Sequence, residues 1–366
     1  MTLLHRTQRL TAIGAAVLCL LAAGGCWDSK DVDNRLLVGA IGIESTKDGR
    51  LNAWFRMPIT SSAIGNEKDT FFSLIQHGET VMDAINKLQY KLPKALDVSS
   101  TRTVMLSKDI ANSGLLPYLE FAVRDRSVPL DAVIAIVDGN MRSIFVRSNP
   151  IGELTGIYTK LYFEPYAGGI PRKNKAMLWE VYSKLLNPLQ ANLIPVLRED
   201  KRSLFTQIGN AYFVEDKIAG MLTMDETLIY EMITQRLVHS EIVLMSRSDL
   251  KIVHKKTRIK TKLVDGKPMI KVSIWVSVAL TDKSHQEKNV TEDTIKAELN
   301  EQLQKLTKSM LQKTQSSGSD IVGFGNWYRG RLRPETYTSW PELYRKADID
   351  VQYHVRLRNT GLEFLK

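Results

Sequence analysis

Cysteine is nearly absent from this chain of 366 residues: Cys19 and Cys26 stand alone. Two thiols that close are too few for a disulfide framework and lack the spacing of a zinc site. Catalytic grammar is equally thin, with no Gly-x-Ser-x-Gly, no Walker-type phosphate loop and no His-Glu-x-x-His. Gly323-Phe324-Gly325 lacks the third glycine of a dinucleotide loop and follows no strand pattern. The histidines beyond the first turn of sequence, His77, His239, His254, His285 and His354, show no ligand spacing. No catalytic residue, metal site or cofactor is therefore expected, and the fold must rest on core burial. Acidic residues are also in deficit, 40 against 50 basic ones, for a net charge of +10. That balance admits an anionic partner or surface without naming it.

What is present at the start sets the compartment. His5, Arg6 and Arg9 precede an apolar run over residues 10–23, then Gly24, Gly25 and Cys26. A basic head, a short apolar run and small residues before a cleavage point are the pattern of a secretory signal. The run is shorter than the roughly 20 residues that a membrane-spanning helix needs, and no later run is long enough. The sequence from Leu20 to Cys26 resembles the bacterial lipobox, with Ala23 where that motif usually carries Leu. The expectation is that residues 1–25 are a lipoprotein signal peptide, removed after Cys26 receives a diacylglyceryl group. The mature protein is then exported and held to membrane lipids through Cys26. Nucleic acid is not an expected partner of such a protein.

Two grammars follow. Residues 36–43 are almost wholly apolar, as in a strand buried on both faces, and residues 51–59 read as its hairpin partner across Lys47-Asp48-Gly49. Residues 60–66 read as a loop. Apolar spacings of three and four predict helices near 79–88, 114–123, 141–146 and 175–186. Strands are expected near 102–106, 130–137 and 193–197. Residues 149–171, with three Pro and four Gly, read as a linker or irregular cap. Beyond Lys201 the chain turns to hairpins and a long helix. Strands at 209–214 and 217–222 precede a helix at 225–237, and a short strand is expected at 241–245. Two long strands, 251–264 and 268–280, flank Asp265-Gly266, the strongest hairpin signal in the chain. Thr291 is placed to cap a helix whose apolar stripe is Ile295, Leu299, Leu303, Leu306 and Met310. The last strand, 349–358, alternates apolar and polar throughout. The fold class expected is α+β, or mixed α/β, in more than one domain. An N-terminal α/β layer over residues 26–200 is followed by a C-terminal hairpin sheet packed with a long helix over 201–366.

The hairpin yields a candidate surface. A two-residue turn at Asp265-Gly266 sets Val264 opposite Lys267, and the register then follows along both strands. Ile259 faces Val272, Thr257 faces Ile274 and Thr261 faces Ile270, giving an inner face. The outer face carries Lys256, Arg258, Lys260 and Lys262, with Lys260 opposite Lys271 and Lys256 opposite Trp275. Two readings stand side by side: a solvated strand face that resists aggregation, or a contact for anionic lipid headgroups or an acidic partner.

Taken in order, these segments resemble the Ger(x)C family, the C-subunit lipoproteins of bacterial spore germinant receptors. The resemblance begins with Cys26-Trp27-Asp28, the polar Asp31-Val32-Asp33-Asn34 and the apolar Val38-Gly39-Ala40-Ile41-Gly42-Ile43. Gly78-Glu79-Thr80 before a helix and the stretches 102–109 and 119–125 continue it. It is most specific in the tail, at Ser319-Asp320-Ile321-Val322-Gly323-Phe324-Gly325, Trp340 and the closing Arg356-Leu357-Arg358-Asn359. Between residues 149 and 201 no family motif is found. The resemblance implies a non-enzymatic subunit of mixed α/β fold. Such a subunit is anchored by lipid at the outer face of the spore inner membrane and works with integral membrane A and B subunits. The alternative is a solute-binding lipoprotein of an importer, which calls for a cleft between two similar lobes.

Overall fold

The computed structural model describes residues 34–59, 71–124, 128–148, 155–163, 174–234, 242–244, 248–283 and 291–358. The signal segment, Cys26, the 60–66 loop and most of the 149–171 stretch lie outside these residues, as do His239 and His285.

In the first half, β1 (Arg35–Leu37), β2 (Ala40–Ser45), β3 (Leu51–Pro58) and β4 (Phe71–Gly78) are followed by α1 (Val81–Gln89), β5 (Ala95–Asp97) and β6 (Thr103–Ser107). Next come α2 (Lys108–Ser113), α3 (Leu116–Arg124), β7 (Val133–Val137), α4 (Met141–Val146) and α5 (Thr155–Phe163). The chain then passes through α6 (Leu178–Leu185), β8 (Leu193–Glu199), β9 (Phe205–Val214) and β10 (Lys217–Leu222). The main sheet has eight strands in the order β10-β9-β8-β7-β6-β2-β3-β4. Its centre, β2, β6, β7 and β8, is parallel, and antiparallel strands flank it on both sides. Parallel strands connect through helices that cover both faces of the sheet, so their residues are apolar on both sides. In β7 Ile134 and Ile136 face one core while Val133, Ala135 and Val137 face the other. On the second face α4 comes so close that a Cβ on Gly42 would lie 2.6 Å from the Phe145 ring. The end of α4 is capped from within the sheet: Arg56, 1% exposed, donates to the carbonyls of Ile144 (2.7 Å) and Phe145 (3.2 Å). Burial lowers the Arg56 pKa to about 9.

The strand expected over 36–43 breaks at Val38-Gly39 into β1, which pairs with β5, and β2, which enters the large sheet. Residues 155–163, inside the expected linker, are helical. β9 and β10 lie beyond Lys201 yet extend the first sheet, because β9 pairs antiparallel with β8. Ala211 and Phe213 of β9 sit in the core of the first half, and Tyr212 sits in that of the second.

The second half holds α7 (Met224–Ile233), β11 (Ile242–Leu244), β12 (Ser248–Val264), β13 (Lys267–Lys283), α8 (Glu292–Ser317), α9 (Trp340–Lys346) and β14 (Asp348–Arg358). Short 3-10 turns at Phe324–Tyr328 and Pro334–Ser339 join α8 to α9. The four-stranded sheet runs β11-β12-β13-β14, with the last pair parallel. Asp265 and Gly266 both adopt positive φ, 49° and 75°, as the mirror-image hairpin turn requires. Helix α8 is capped by Thr291, whose side chain accepts from the Thr294 N–H, and ends at Gly318 in left-handed conformation (φ 80°). Ile295, Leu299, Leu303 and Met310 are buried as expected, whereas Leu306 is only half-buried and Thr307 and Thr314 take buried places. Thr307 Oγ1 lies 2.6 Å from the Tyr353 hydroxyl and Thr314 Oγ1 lies 2.9 Å from that of Tyr344. Each threonine also donates to the carbonyl four residues back, at Leu303 and Met310 respectively, so its hydroxyl stays satisfied inside an apolar core.

Candidate functional site

The register derived from the Asp265-Gly266 turn is the one observed. Lys260 pairs with Lys271, Lys256 with Trp275, Ile259 with Val272, Thr257 with Ile274 and Thr261 with Ile270. Lys256, Arg258, Lys260 and Lys262 are all exposed and share the solvent face of β12. Lys255 has the opposite parity and turns inward. Its ammonium donates to the carbonyls of Glu231 (3.0 Å) and Met232 (3.1 Å) at the end of α7, where a cation suits the helix dipole. Burial lowers the Lys255 pKa to about 8.

The face does not stop at the hairpin. Because β14 lies parallel to β13, Asp350 pairs with Lys271, His354 with Trp275 and Arg356 with Ser277. The Lys271 ammonium stands 3.9 Å from the Asp350 carboxylate, with both side chains half exposed, so the pair contributes little. Trp275, 38% exposed, stacks on His354 with ring centroids 5.1 Å apart and planes 18° apart. The other side of this sheet is closed by α8 and α7, so among the described residues one face is left open.

The long hairpin is held in place by the tail motif. Asp320 is fully buried. Its Oδ1 accepts from the Gly323 N–H (2.8 Å), and its Oδ2 accepts from the Gly325 N–H (2.8 Å) and from Trp340 Nε1 (2.9 Å). Gly323 has a left-handed backbone (φ 79°), which lets the loop curl around the carboxylate. Burial raises the Asp320 pKa to about 6, and the N–H donors around the carboxylate oppose that rise. The Asp320 carbonyl accepts from the Ala191 N–H, and Ser319 Oγ donates to the Phe213 carbonyl, 2.8 and 2.7 Å, so the same loop grips the first half of the molecule. Trp340 packs on Tyr328 at 5.3 Å between centroids. The Tyr328 hydroxyl meets the carbonyls of Lys262 (3.0 Å) and Met269 (2.9 Å), one on each strand near the turn. Arg331 donates to the Thr261 carbonyl and hydroxyl, both at 2.9 Å. Residues 319–325 thus cradle a carboxylate and not a nucleotide. The cradle escaped sequence reasoning although its residues were singled out, since a Gly-x-Gly does not say which oxygen its N–H groups will meet.

A cavity of about 400 Å³ lies beside this loop, lined by Gln190, Tyr230, Thr234, Val322, Asn326 and Trp327. Among the described residues no charged side chain lines it, and Asn326 Nδ2 is already bound to Gln190 Oε1 at 3.1 Å. Among the described residues no three His, Cys, Asp or Glu converge to hold a metal ion, and no helix is long and apolar enough to cross a membrane. Cys26 lies outside the described residues.

Comparison with known proteins bears on both halves. Residues 28–199 match the spore germination protein N-terminal domain family, and residues 208–361 match the spore germination B3/GerAC-like C-terminal family. Spore germination protein B3 of Bacillus subtilis (strain 168) is 21% identical over 359 residues, covering 93% of this chain and 96% of that protein. Spore germination protein KC of the same organism is also 21% identical, over 95% of both chains. The crystal structure of the GerBC protein superposes with a TM-score of 0.55 at 17% identity, covering 87% of this chain and 96% of that one, which supports the mixed α+β fold. With both halves matched in order, the chain belongs to the Ger(x)C family, the C-subunit family of bacterial spore germinant receptors.

Proposed function

We propose that this protein is a lipid-anchored, non-catalytic subunit of a nutrient germinant receptor, held at the outer face of the spore inner membrane by Cys26. In that place it supports assembly and signalling with the integral membrane A and B subunits. The observation that carries the reading is the match of both halves, in order, to spore germination families, behind a sequence that ends its apolar leader on Cys26. Two or more acyl chains, at about 0.8 kcal/mol per buried methylene, suffice for stable anchoring where one chain is marginal. Anchoring also raises the concentration seen by membrane partners, so modest protein interfaces suffice for assembly. An importer's solute-binding protein would present two similar lobes around a cleft. Here an eight-stranded mixed sheet stands beside a four-stranded sheet, and the two are unlike.

Cys26→Ala in spores tests the reading. The variant is expected to lose acylation and membrane retention, to keep its fold, and to show a strong defect in nutrient germination. Normal membrane retention together with a normal nutrient response would overturn it.

A further inference from the structure

The solvent face of the β12-β13-β14 sheet has three properties that go together. It is broad, because side chains of like parity recur about every 7 Å along a strand and strands lie about 5 Å apart. The four cations of β12 are therefore arrayed over roughly 20 Å, and they continue onto Lys271 and, across β13, onto Arg356 and Arg358, all exposed. Among the described residues, Asp348 and Asp350 of β14 enter the array near its turn end, and Asp249 and Asp282 pair with each other beyond its opposite end. At its middle is an aromatic pair, with Trp275 between Lys256 on one side and His354 on the other. The stacked imidazole holds the indole in place while leaving it 38% exposed.

Like charges facing each other, as Lys260 and Lys271 do, work against the hairpin. Solubility alone asks for mixed signs. A mainly cationic lattice on a sheet face presents many weak contacts in a single layer, which suits a planar anionic surface better than a pocketed partner. Exposed tryptophan amid cations adds a group that favours the headgroup region of a bilayer. We propose that this sheet face lies against an anionic lipid leaflet, with Trp275 entering the headgroup layer. The proposal rests on the reading of a membrane-held subunit. The chain between Cys26 and Arg35 can extend no further than about 30 Å, so the anchor reading keeps the protein itself close to the leaflet.

The test uses the chain from residue 26 onward with Cys26→Ala, which contains every described residue and carries no acyl group. Co-sedimentation is measured with vesicles of phosphatidylcholine alone and with 30% phosphatidylglycerol added. Binding is expected only to the anionic vesicles and is expected to fall steeply with salt, as screening shortens the reach of each charge. The combined variant Lys256→Gln, Arg258→Gln, Lys260→Gln, Lys262→Gln should bind at least tenfold more weakly. A control with the same change in net charge elsewhere, Lys201→Gln, Lys217→Gln, Lys305→Gln, Lys308→Gln, should stay within threefold of the parent. Brominated lipid should quench the parent's fluorescence, and Trp275→Phe should remove most of that quenching. Equal losses in the two charge variants, or no binding of the parent to anionic vesicles, would overturn the proposal. So would binding of polyglutamate through the same four residues without vesicle binding, which would assign the face to an acidic protein. None of these failures touches the Cys26→Ala experiment in spores, so the face and the anchored-subunit reading fail separately.

Discussion

The two sheets solve the same burial problem in opposite ways. The eight-stranded sheet is covered on both faces, with Ile134 and Ile136 of β7 in one core and Val133 and Val137 in the other. Among the described residues the four-stranded sheet is covered on one face. Along β13, Ile270, Val272, Ile274 and Val276 are buried, while Lys271 and Trp275 between them are exposed. Crossover helices must lie on the faces of a parallel sheet, whereas hairpin strands need no such cover. The lesson is that, among the described residues, the broad open sheet face lies in the second half.

The joint between the halves is where that comparison is most easily broken. A fragment of residues 202–366 keeps the four-stranded sheet, α7, α8 and α9, and it should unfold cooperatively. It loses β8, the partner of β9, the Ala191–Asp320 hydrogen bond, and Leu189 and Leu193 from its core. At roughly 1.5–3 kcal/mol for each buried leucine, it should be less stable than the whole chain by about 3 kcal/mol or more. Denaturant titration of both measures the difference. A fragment with no cooperative transition would show that the second half does not form a unit without β8.

Asp320 gives a smaller and pH-dependent effect. Its folded pKa of about 6 is above the 3.8 of the free carboxyl, so the folded state holds the proton more tightly than the unfolded chain. The stabilising contribution of the protonated group is complete below pH 4 and is lost as pH rises through 6, to a total of about 3 kcal/mol. Asp320→Asn cannot ionise. Its stability relative to the parent should therefore rise between pH 4.5 and 7.5, even though its amide satisfies the three N–H donors less well. Thermal unfolding across that range checks the sign, and parallel curves for parent and variant would refute it.

The smallest effect belongs to the open face. Lys260→Gln removes one of two like charges paired across the hairpin and leaves no cavity, so stability should change by no more than about 0.5 kcal/mol, and upward. A loss of 2 kcal/mol on equilibrium unfolding would mean that the face is not solvent-facing.

Much of the second half was legible because its signals are local. A two-residue Asp-Gly turn sets the register of everything that follows it, and Thr291, the apolar stripe and Gly318 mark the two ends of α8. The first half was harder to read where elements are short or lack clean alternation. β4 has no simple alternation of buried and exposed residues, α2 has only six residues, and α5 lies in a Pro- and Gly-containing stretch. None of the three was expected from the sequence. Of the candidate site, the four cations of β12 could be placed on one face from the turn alone. Their union with Arg356 and Arg358 could not, because it depends on β14 joining the sheet parallel to β13.

The residues themselves determine whatever rests on neighbours in the chain: the apolar leader that ends at Cys26, the hairpin and its register, the capped long helix, and the mixed α+β class. These follow from backbone sterics and from the periods of strand and helix, which act within a few residues. Only the tertiary structure decided that β9 and β10 complete the first sheet, that Asp320 ties both halves together, and that cations from β12, β13 and β14 share one face. Those outcomes depend on which edge a strand finds and which donors a buried carboxylate meets. Both are contacts between segments far apart in sequence, chosen by packing and by the cost of leaving a buried polar group unpaired.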